Sequence, residues 1–176
     1  MVVDIVLIGP PGSGKTSVAK ALARKLDSTR IDTDHEIEVR AGKKISEIFT
    51  EDGEAKFREM EVEVVAEALA HNGGIVSVGG GSVLNESSQR AIATAKQVVF
   101  LDVSISNAAP RVGFNKDRPL LALNPRQQWL QLMEKRRPIY ESLATMTIST
   151  DNKKPDEVAS EIIETISRAS QKSGGQ

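Results

Sequence analysis

Gly9-Pro10-Pro11-Gly12-Ser13-Gly14-Lys15-Thr16 has the spacing G-x-x-x-x-G-K-[ST], and it stands between a short apolar stretch and the start of a helical pattern. Glycines at those positions let backbone N–H groups wind inward around phosphate oxygens. The helix N-terminus adds partial positive charge, Lys15 can reach the β- and γ-phosphates, and the Thr16 hydroxyl can ligate Mg²⁺. A glycine-rich turn with an incidental lysine would not need this flanking context, so a nucleoside triphosphate with Mg²⁺ is the expected ligand. A second chemical signal is "IDTDH", Ile31 to His35, where Asp32 and Asp34 stand two residues apart just before a run that reads as helix. Either carboxylate can simply cap that helix. Two acids near a phosphate cradle also suit metal and acceptor work, and the rest of the chain must decide.

The elements that position these groups read as alternating strand and helix. Val2 to Ile8 is almost wholly apolar and β-branched, as a central parallel strand would be, and Ser13 to Leu26 has helical spacing through Val18, Ala21, Leu22 and Leu26. Further strands are expected at Ile75 to Val78, Gln97 to Val103 and Thr145 to Ser149, and a short one ends at Asp32. Helices are expected at Glu54 to Ala70, Glu86 to Ala95, Ser106 to Val112, Arg126 to Leu143, and Pro155 to about Ala169. Such alternation implies an α/β chain with a parallel sheet covered on both faces. Gly113 to Pro125, "GFNKDRPLLALNP", fits neither pattern and reads as a mobile loop. The tail "SQKSGGQ" reads as disordered.

Composition narrows the partners. The 176-residue chain is 39% hydrophobic and 27% charged, ordinary for one soluble domain. A net charge of −1 and an aromatic content of 3% leave no basic field or stacking platform for nucleic acid. Cysteine is absent, which rules out disulfides and thiolate metal sites, and no apolar run approaches the roughly 18 residues of a membrane helix. The cytoplasm is the expected location and a monomer the expected state. His35 and His71 have no metal-ligand company. A GTPase reading fails as well: "FNKDRP" lacks the intervening residue of N-K-x-D and lies in the loop instead of after a strand.

Taken in order, "GPPGSGKT", "DTDHEIE", "FREME", "VGGGSV", "RPLL" and "RRPIYES" closely resemble the shikimate kinase family, small phosphotransferases of the nucleoside-monophosphate-kinase-like group. The resemblance runs from Gly9 to about Pro155. It implies a three-layer P-loop fold with a five-stranded parallel sheet and a mobile lid. Residues 1–170 would form a single kinase domain, with the lid at about 113–124, a shikimate-binding helical region at about 33–61 and a disordered tail at 171–176. The implied reaction transfers the γ-phosphoryl of ATP to the 3-hydroxyl of shikimate, toward chorismate and the aromatic amino acids. The implied ATP site comprises Gly12, Ser13, Gly14, Lys15, Thr16, Ser17, Arg111, Arg118, Lys153 and Pro155. Arg118 resembles the lid arginine that neutralises the transferring phosphoryl group, Arg111 the residue lying over adenine, and Asp151 to Pro155 the adenine loop. Val112, Phe114 and Asn115 depart from the usual lid pattern.

Shikimate is a small carboxylate with three hydroxyls, so its site needs a carboxylate clamp, for which the planar arginine fork is suited. In the Glu54 to Ala70 helix, Arg58 sits beside the stripe Phe57, Met60, Val64 and Ala68, with Glu61 three residues on to hold it. A solvated surface pair is the bland alternative. In the next long helix, Arg136 falls on the apolar stripe of Trp129, Leu132, Met133, Tyr140 and Leu143; Arg137 falls beside it with Glu134 and Glu141, and is expected in solvent. Gly79, Gly80 and Gly81 follow a strand at the carboxyl edge of the sheet, where backbone N–H groups can approach a substrate; a plain turn would rarely need three glycines. That strand carries no metal-binding aspartate, so Mg²⁺ is assigned to Thr16 and, through water, Asp32, with Ser77 nearby. Asp34 is then the catalytic group that meets the attacking hydroxyl, together with Lys15 and Arg118. A gluconate kinase would share the cradle and lid but not "DTDHEI" with "GGGSV". A nucleotide sensor would need a readout surface that the sequence does not display.

Overall fold

The computed structural model describes residues 4–70, 73–112 and 124–173. Five parallel strands form one sheet in the order β2-β3-β1-β4-β5: β1 (Asp4–Ile8), β2 (Arg30–Asp32), β3 (Gly74–Ser77), β4 (Gln97–Asp102) and β5 (Met146–Ser149). Alternation along each strand divides the core into two layers. Ile5 and Leu7 of β1, with Ile75, Val99, Leu101 and Ile148, pack against α1 (Lys15–Leu26) and α8 (Pro155–Ser173). Val6, Ile8, Val76, Val98 and Phe100 face the opposite way, toward α4 (Glu54–Ala70), α5 (Glu86–Ile92), α6 (Ile105–Val112) and α7 (Pro125–Leu143).

β1 and β3 are neighbours, yet the chain leaves β1 toward the β2 edge and leaves β3 toward β4. The connections therefore part above this pair, opening a crevice at the carboxyl ends of the two strands. The phosphate cradle follows β1 and the glycine loop follows β3, so the crevice lies between them. Beyond the β2 edge, α2 (Thr33–Ala41), α3 (Ile45–Glu47), a π-turn at Ile48–Asp52 and α4 enclose a small separate core of Ile37, Ile48, Phe57 and Val64.

Element types follow the sequence pattern, whereas several ends differ. Helix α1 begins at Lys15 instead of Ser13, because Gly14, at φ 87°, is its left-handed cap. Strand β3 stops at Ser77, α5 stops at Ile92, and α8 runs on to Ser173, past the Ala169 expected from the sequence. The α3–π-turn segment and a 3₁₀ turn at Ser82–Leu84 carry no strong periodic signal. The expected lid, including Arg118, Phe114 and Asn115, lies outside the described residues except at Asn124, as does His71.

Candidate active site

The cradle is built around the open end of α1. No side chain caps this helix, so the N–H groups of its first turn are available to an anion. Lys15 Nζ donates to the carbonyls of Gly9 at 2.7 Å and Pro10 at 3.1 Å, holding the lysine over the loop. Ser13 is fully buried, and Gly12, at φ 82°, sits so close to α6 that a Cβ there would lie 2.7 Å from Val112 Cγ2 and 2.8 Å from the Ala108 carbonyl. Val112, unusual in the lid pattern, thus packs directly on the cradle. Ser17 lines the same cleft with Gly14, Lys15, Thr16 and Ser77.

The two aspartates have different surroundings. Asp32 ends β2 and caps α2, accepting weakly from the His35 N–H at 3.4 Å, and its other oxygen accepts from the Thr16 hydroxyl at 2.6 Å. The capping reading is thus met by one oxygen, while the other lies against the hydroxyl of the phosphate cradle. Asp34 is the second residue of α2 and lines the cavity beyond the cradle. The junction is pinned to the glycine loop, since the Gly79 N–H donates to the buried Thr33 hydroxyl at 3.2 Å.

That cavity has a volume of about 550 Å³, and Pro11, Thr16 and Asp32 form the side it shares with the cradle. Three charged side chains converge on the consecutive glycines along its floor. A Cβ added at Gly79 would lie 2.6 Å from Asp34 Oδ1, one at Gly80 3.5 Å from Arg136 Nη1, and one at Gly81 2.6 Å from Arg58 Nη1. Arg58 is held by Glu61 at 2.8 Å, and Glu61 is only 3% exposed although it is charged. Arg136, 8% exposed, lies on the same buried face as Trp129, Met133 and Tyr140. Among the described residues no carboxylate forms an ion pair with it, so the buried cation leaves a demand for a negative group in the cavity. Phe49, Phe57, Ile45 and Leu132 supply apolar wall.

Helix α7 is fixed to both loops. Trp129 Nε1 donates to the Pro11 carbonyl at 2.9 Å, and the Tyr140 hydroxyl donates to the Gly80 carbonyl at 2.6 Å. Burial pushes the Tyr140 phenol up to about 12, so it remains a donor. The sequence expectation for Arg137 needs correction. It is 39% exposed and lies 3.6 Å from Glu141, as its place beside the stripe implied, but it also grips both carboxylate oxygens of Asp102, at 2.8 and 3.1 Å, with the Phe100 ring beneath. Asp102 raises the guanidinium's pKa further above its ordinary value.

On the nucleotide side, Arg111 donates to the Gly12 carbonyl at 3.3 Å and to the Thr150 hydroxyl and carbonyl, each at 2.9 Å. The Lys153 ammonium is tied to the Ser149 carbonyl and to Glu161, at 3.0 and 2.6 Å, and Pro155 opens α8. The 151–155 loop thus offers a ligand its backbone more readily than the lysine charge. Trp129, Tyr140, Asp102 and Arg137 escaped the sequence reading as parts of the site. Only the helical stripe containing Trp129 and Tyr140 signalled any of them.

Similarity to known proteins is extensive. A family model described as shikimate kinase matches residues 11–167. A shikimate kinase of Thermobifida fusca is 54% identical over 154 residues, 88% of this chain and 89% of that protein. Among solved structures, a shikimate kinase from Acinetobacter baumannii in complex with shikimate superimposes with a TM-score of 0.92 at 32% identity, covering 96% of this chain and 95% of that one. A gluconokinase from Sinorhizobium meliloti shares the fold more loosely, with a TM-score of 0.60 at 20% identity over 97% and 94% of the chains.

The glycines separate by what an added methyl would meet. Gly12→Ala strikes backbone and adopts a left-handed conformation that costs about 1–2 kcal/mol before any clash. Gly81→Ala meets only the movable end of Arg58. Thermal unfolding is expected to drop by several degrees for Gly12→Ala and by about a degree or less for Gly81→Ala, while a crystal structure of the latter shows the guanidinium displaced. Equal destabilisation of the two would mean that the glycine loop is close-packed against backbone and not against the arginine.

Proposed function

The chain belongs to the shikimate kinase family, and from that premise we propose a division of labour among its residues for ATP-dependent phosphorylation of the shikimate 3-hydroxyl, which yields shikimate 3-phosphate and ADP. The observation that carries the acceptor assignment is the convergence of Arg58 and Arg136 on consecutive glycines of one cavity beside the phosphate cradle. Two planar forks in a partly desolvated pocket suit a carboxylate, whose charge answers the buried Arg136. Glu61 holds Arg58 in place, and the bare backbone of Gly79, Gly80 and Gly81 lets the ring approach.

Asp34 then meets the attacking hydroxyl as a hydrogen-bond acceptor. Phosphoryl transfer through a loose transition state needs a nucleophile positioned more than fully deprotonated, so Asp34 orients it and takes its proton late. Gly12, Ser13, Gly14, Lys15, Thr16 and Ser17 hold the phosphates through backbone N–H groups and the ammonium. Arg118, in the lid, stabilises charge on the transferring group, and Arg111 with the backbone of the Lys153–Pro155 loop borders the base.

Thr16 Oγ1 and Asp32 Oδ2, 2.6 Å apart, are hard oxygen donors of the kind Mg²⁺ takes when phosphates and water complete its shell. Held there, Mg²⁺ would supply positive charge against the phosphate oxygens. Asp32 acts through water, with Ser77 nearby. The proposal keeps a cytoplasmic monomer: ATP is met there, and one chain carries every residue named. No described helix is long and apolar enough to cross a membrane.

The direct test is ADP release with shikimate, gluconate and nucleoside monophosphates as acceptors. Turnover should require shikimate, whereas comparable rates with gluconate, or no acceptor dependence, would overturn the reading. Arg58→Ala and Arg136→Ala are expected to weaken shikimate binding by roughly 2–5 kcal/mol with ATP binding nearly unchanged; calorimetry showing intact shikimate affinity in both would remove the clamp.

The aspartates should part company kinetically. Asp34→Asn is expected to lower kcat by roughly 10²–10⁴ while keeping ATP affinity. Asp32→Asn should instead alter the Mg²⁺ requirement and still bind shikimate. Should both variants only melt earlier, with kcat and Mg²⁺ dependence intact, their role would be confined to capping α2.

A further inference from the structure

Arg136 can serve as a clamp only if its helix presents it at one height and one rotation, and α7 has a weak point where it matters. Pro138 lies inside the helix, two residues beyond Arg136. Having no N–H, it leaves the Glu134 carbonyl without its usual i+4 partner and removes one rung from the helix at this level. Two contacts from outside the helix bracket that proline. Before it, Arg137 grips both oxygens of Asp102 at the end of β4, with its guanidinium 5.6 Å from the centroid of the Phe100 ring. After it, Tyr140 stacks on the same Phe100 at 5.1 Å and 25°, and its hydroxyl donates to the Gly80 carbonyl.

Neighbouring residues on a helix point about 100° apart, so a fixed Arg137 also fixes the rotation that sends Arg136 into the cavity. Tyr140 is one turn beyond Arg136 on the same face, and it binds the very glycine beside which the Arg136 guanidinium lies. We propose that Arg137 and Tyr140 are positioning residues for the substrate clamp: braced on β4 and on the Gly80 carbonyl, they hold Arg136 at the height and rotation that the shikimate carboxylate needs. The inference rests on the assignment of Arg136 as part of that clamp. A purely stabilising role is the natural alternative, because Arg137 and Asp102 are 39% and 31% exposed and exposed ion pairs contribute about 0–1 kcal/mol. What distinguishes this pair is its two-pronged geometry and its place one residue from the clamp.

The experiment measures the shikimate dissociation constant by calorimetry, and KM for shikimate and for ATP separately, in Arg137→Gln and Tyr140→Phe. Each is made in the otherwise natural chain and again with Arg136→Ala. Tyr140→Phe keeps the ring and its packing, so it reads the hydroxyl alone. Arg168→Gln, which removes an exposed pair with Glu164 on α8, is the reference for a stabilising contact away from the site. Both α7 variants should raise the shikimate dissociation constant and KM by about five- to thirtyfold, leave the ATP KM within about twofold, and add nothing once Arg136 is gone. Shikimate affinity unchanged in both, with only the melting temperature lowered as in Arg168→Gln, would overturn the proposal. So would a loss of the same size with and without Arg136. If Arg136→Ala alone left shikimate affinity intact, the clamp itself would be wrong and the proposal would fall with it, a result distinguishable from the first two.

Discussion

The site depends on a stretch of three residues without side chains. Where the chain leaves β3, Gly79, Gly80 and Gly81 form a strip of backbone against which Asp34, Arg136 and Arg58 lie in that order, Asp34 and Arg58 so close that a methyl would strike them and Arg136 at the distance of ordinary contact with one. Gly80 also abuts the cradle, since a Cβ there would be 3.2 Å from the Gly9 carbonyl and 3.4 Å from Pro11 Cδ. One strip therefore sets the spacing between the phosphate loop and the acceptor groups. Sheet order puts it there: only because β3 pairs directly with β1 do the two loops leave the sheet side by side.

Charge placement completes the arrangement. Glu61 and Arg136 are both largely removed from water, a costly situation unless each charge is answered. Glu61 is answered within the protein by Arg58. Arg136 is directed at the cavity, where the proposed substrate carboxylate answers it. The cavity wall carries acids as well, Asp32, Asp34, Glu38 and Glu61, so the case for an anion rests on the local position of Arg136 beside Gly80 and not on the summed charge of the lining. Trp129 and Arg111 hold the cradle from α7 and α6, so the helix that carries Arg136 also restrains the phosphate loop.

What the sequence made legible was local. The cradle is contiguous, and its flanking strand and helix have unmistakable patterns. Arg136 was separable from Arg137 because a helix keeps one face to the core, and the glycine run announced a backbone surface. The fate of Arg137 was not legible: its partner, Asp102, lies 35 positions away, on a strand whose place beside α7 follows from the tertiary fold. Tyr140 read only as core, since nothing local reveals that its hydroxyl reaches Gly80, 60 positions distant. Lys153 could be placed in the adenine loop, but not its engagement by Glu161 across the first turns of α8. The segment from Ile45 to Asp52 was placed in a helical region only by resemblance, because a three-residue helix and the π-turn after it are too short or off-period for the pattern to show. For Asp32 capping does not exclude a second task, as one oxygen serves the helix cap while the other meets Thr16.

The central claim is that a carboxylate, and not ring shape alone, is what the acceptor pocket recognises. Calorimetric titration of the natural chain with shikimate and with its carboxamide, nearly the same in shape but uncharged and with one acceptor oxygen replaced by an NH2 donor, tests this without altering the protein. The account predicts that the amide binds weaker by on the order of a hundredfold or more, because the buried Arg136 is left short of its charged partner and Arg58 loses a second one beside Glu61. Equal affinity for the two compounds would contradict it.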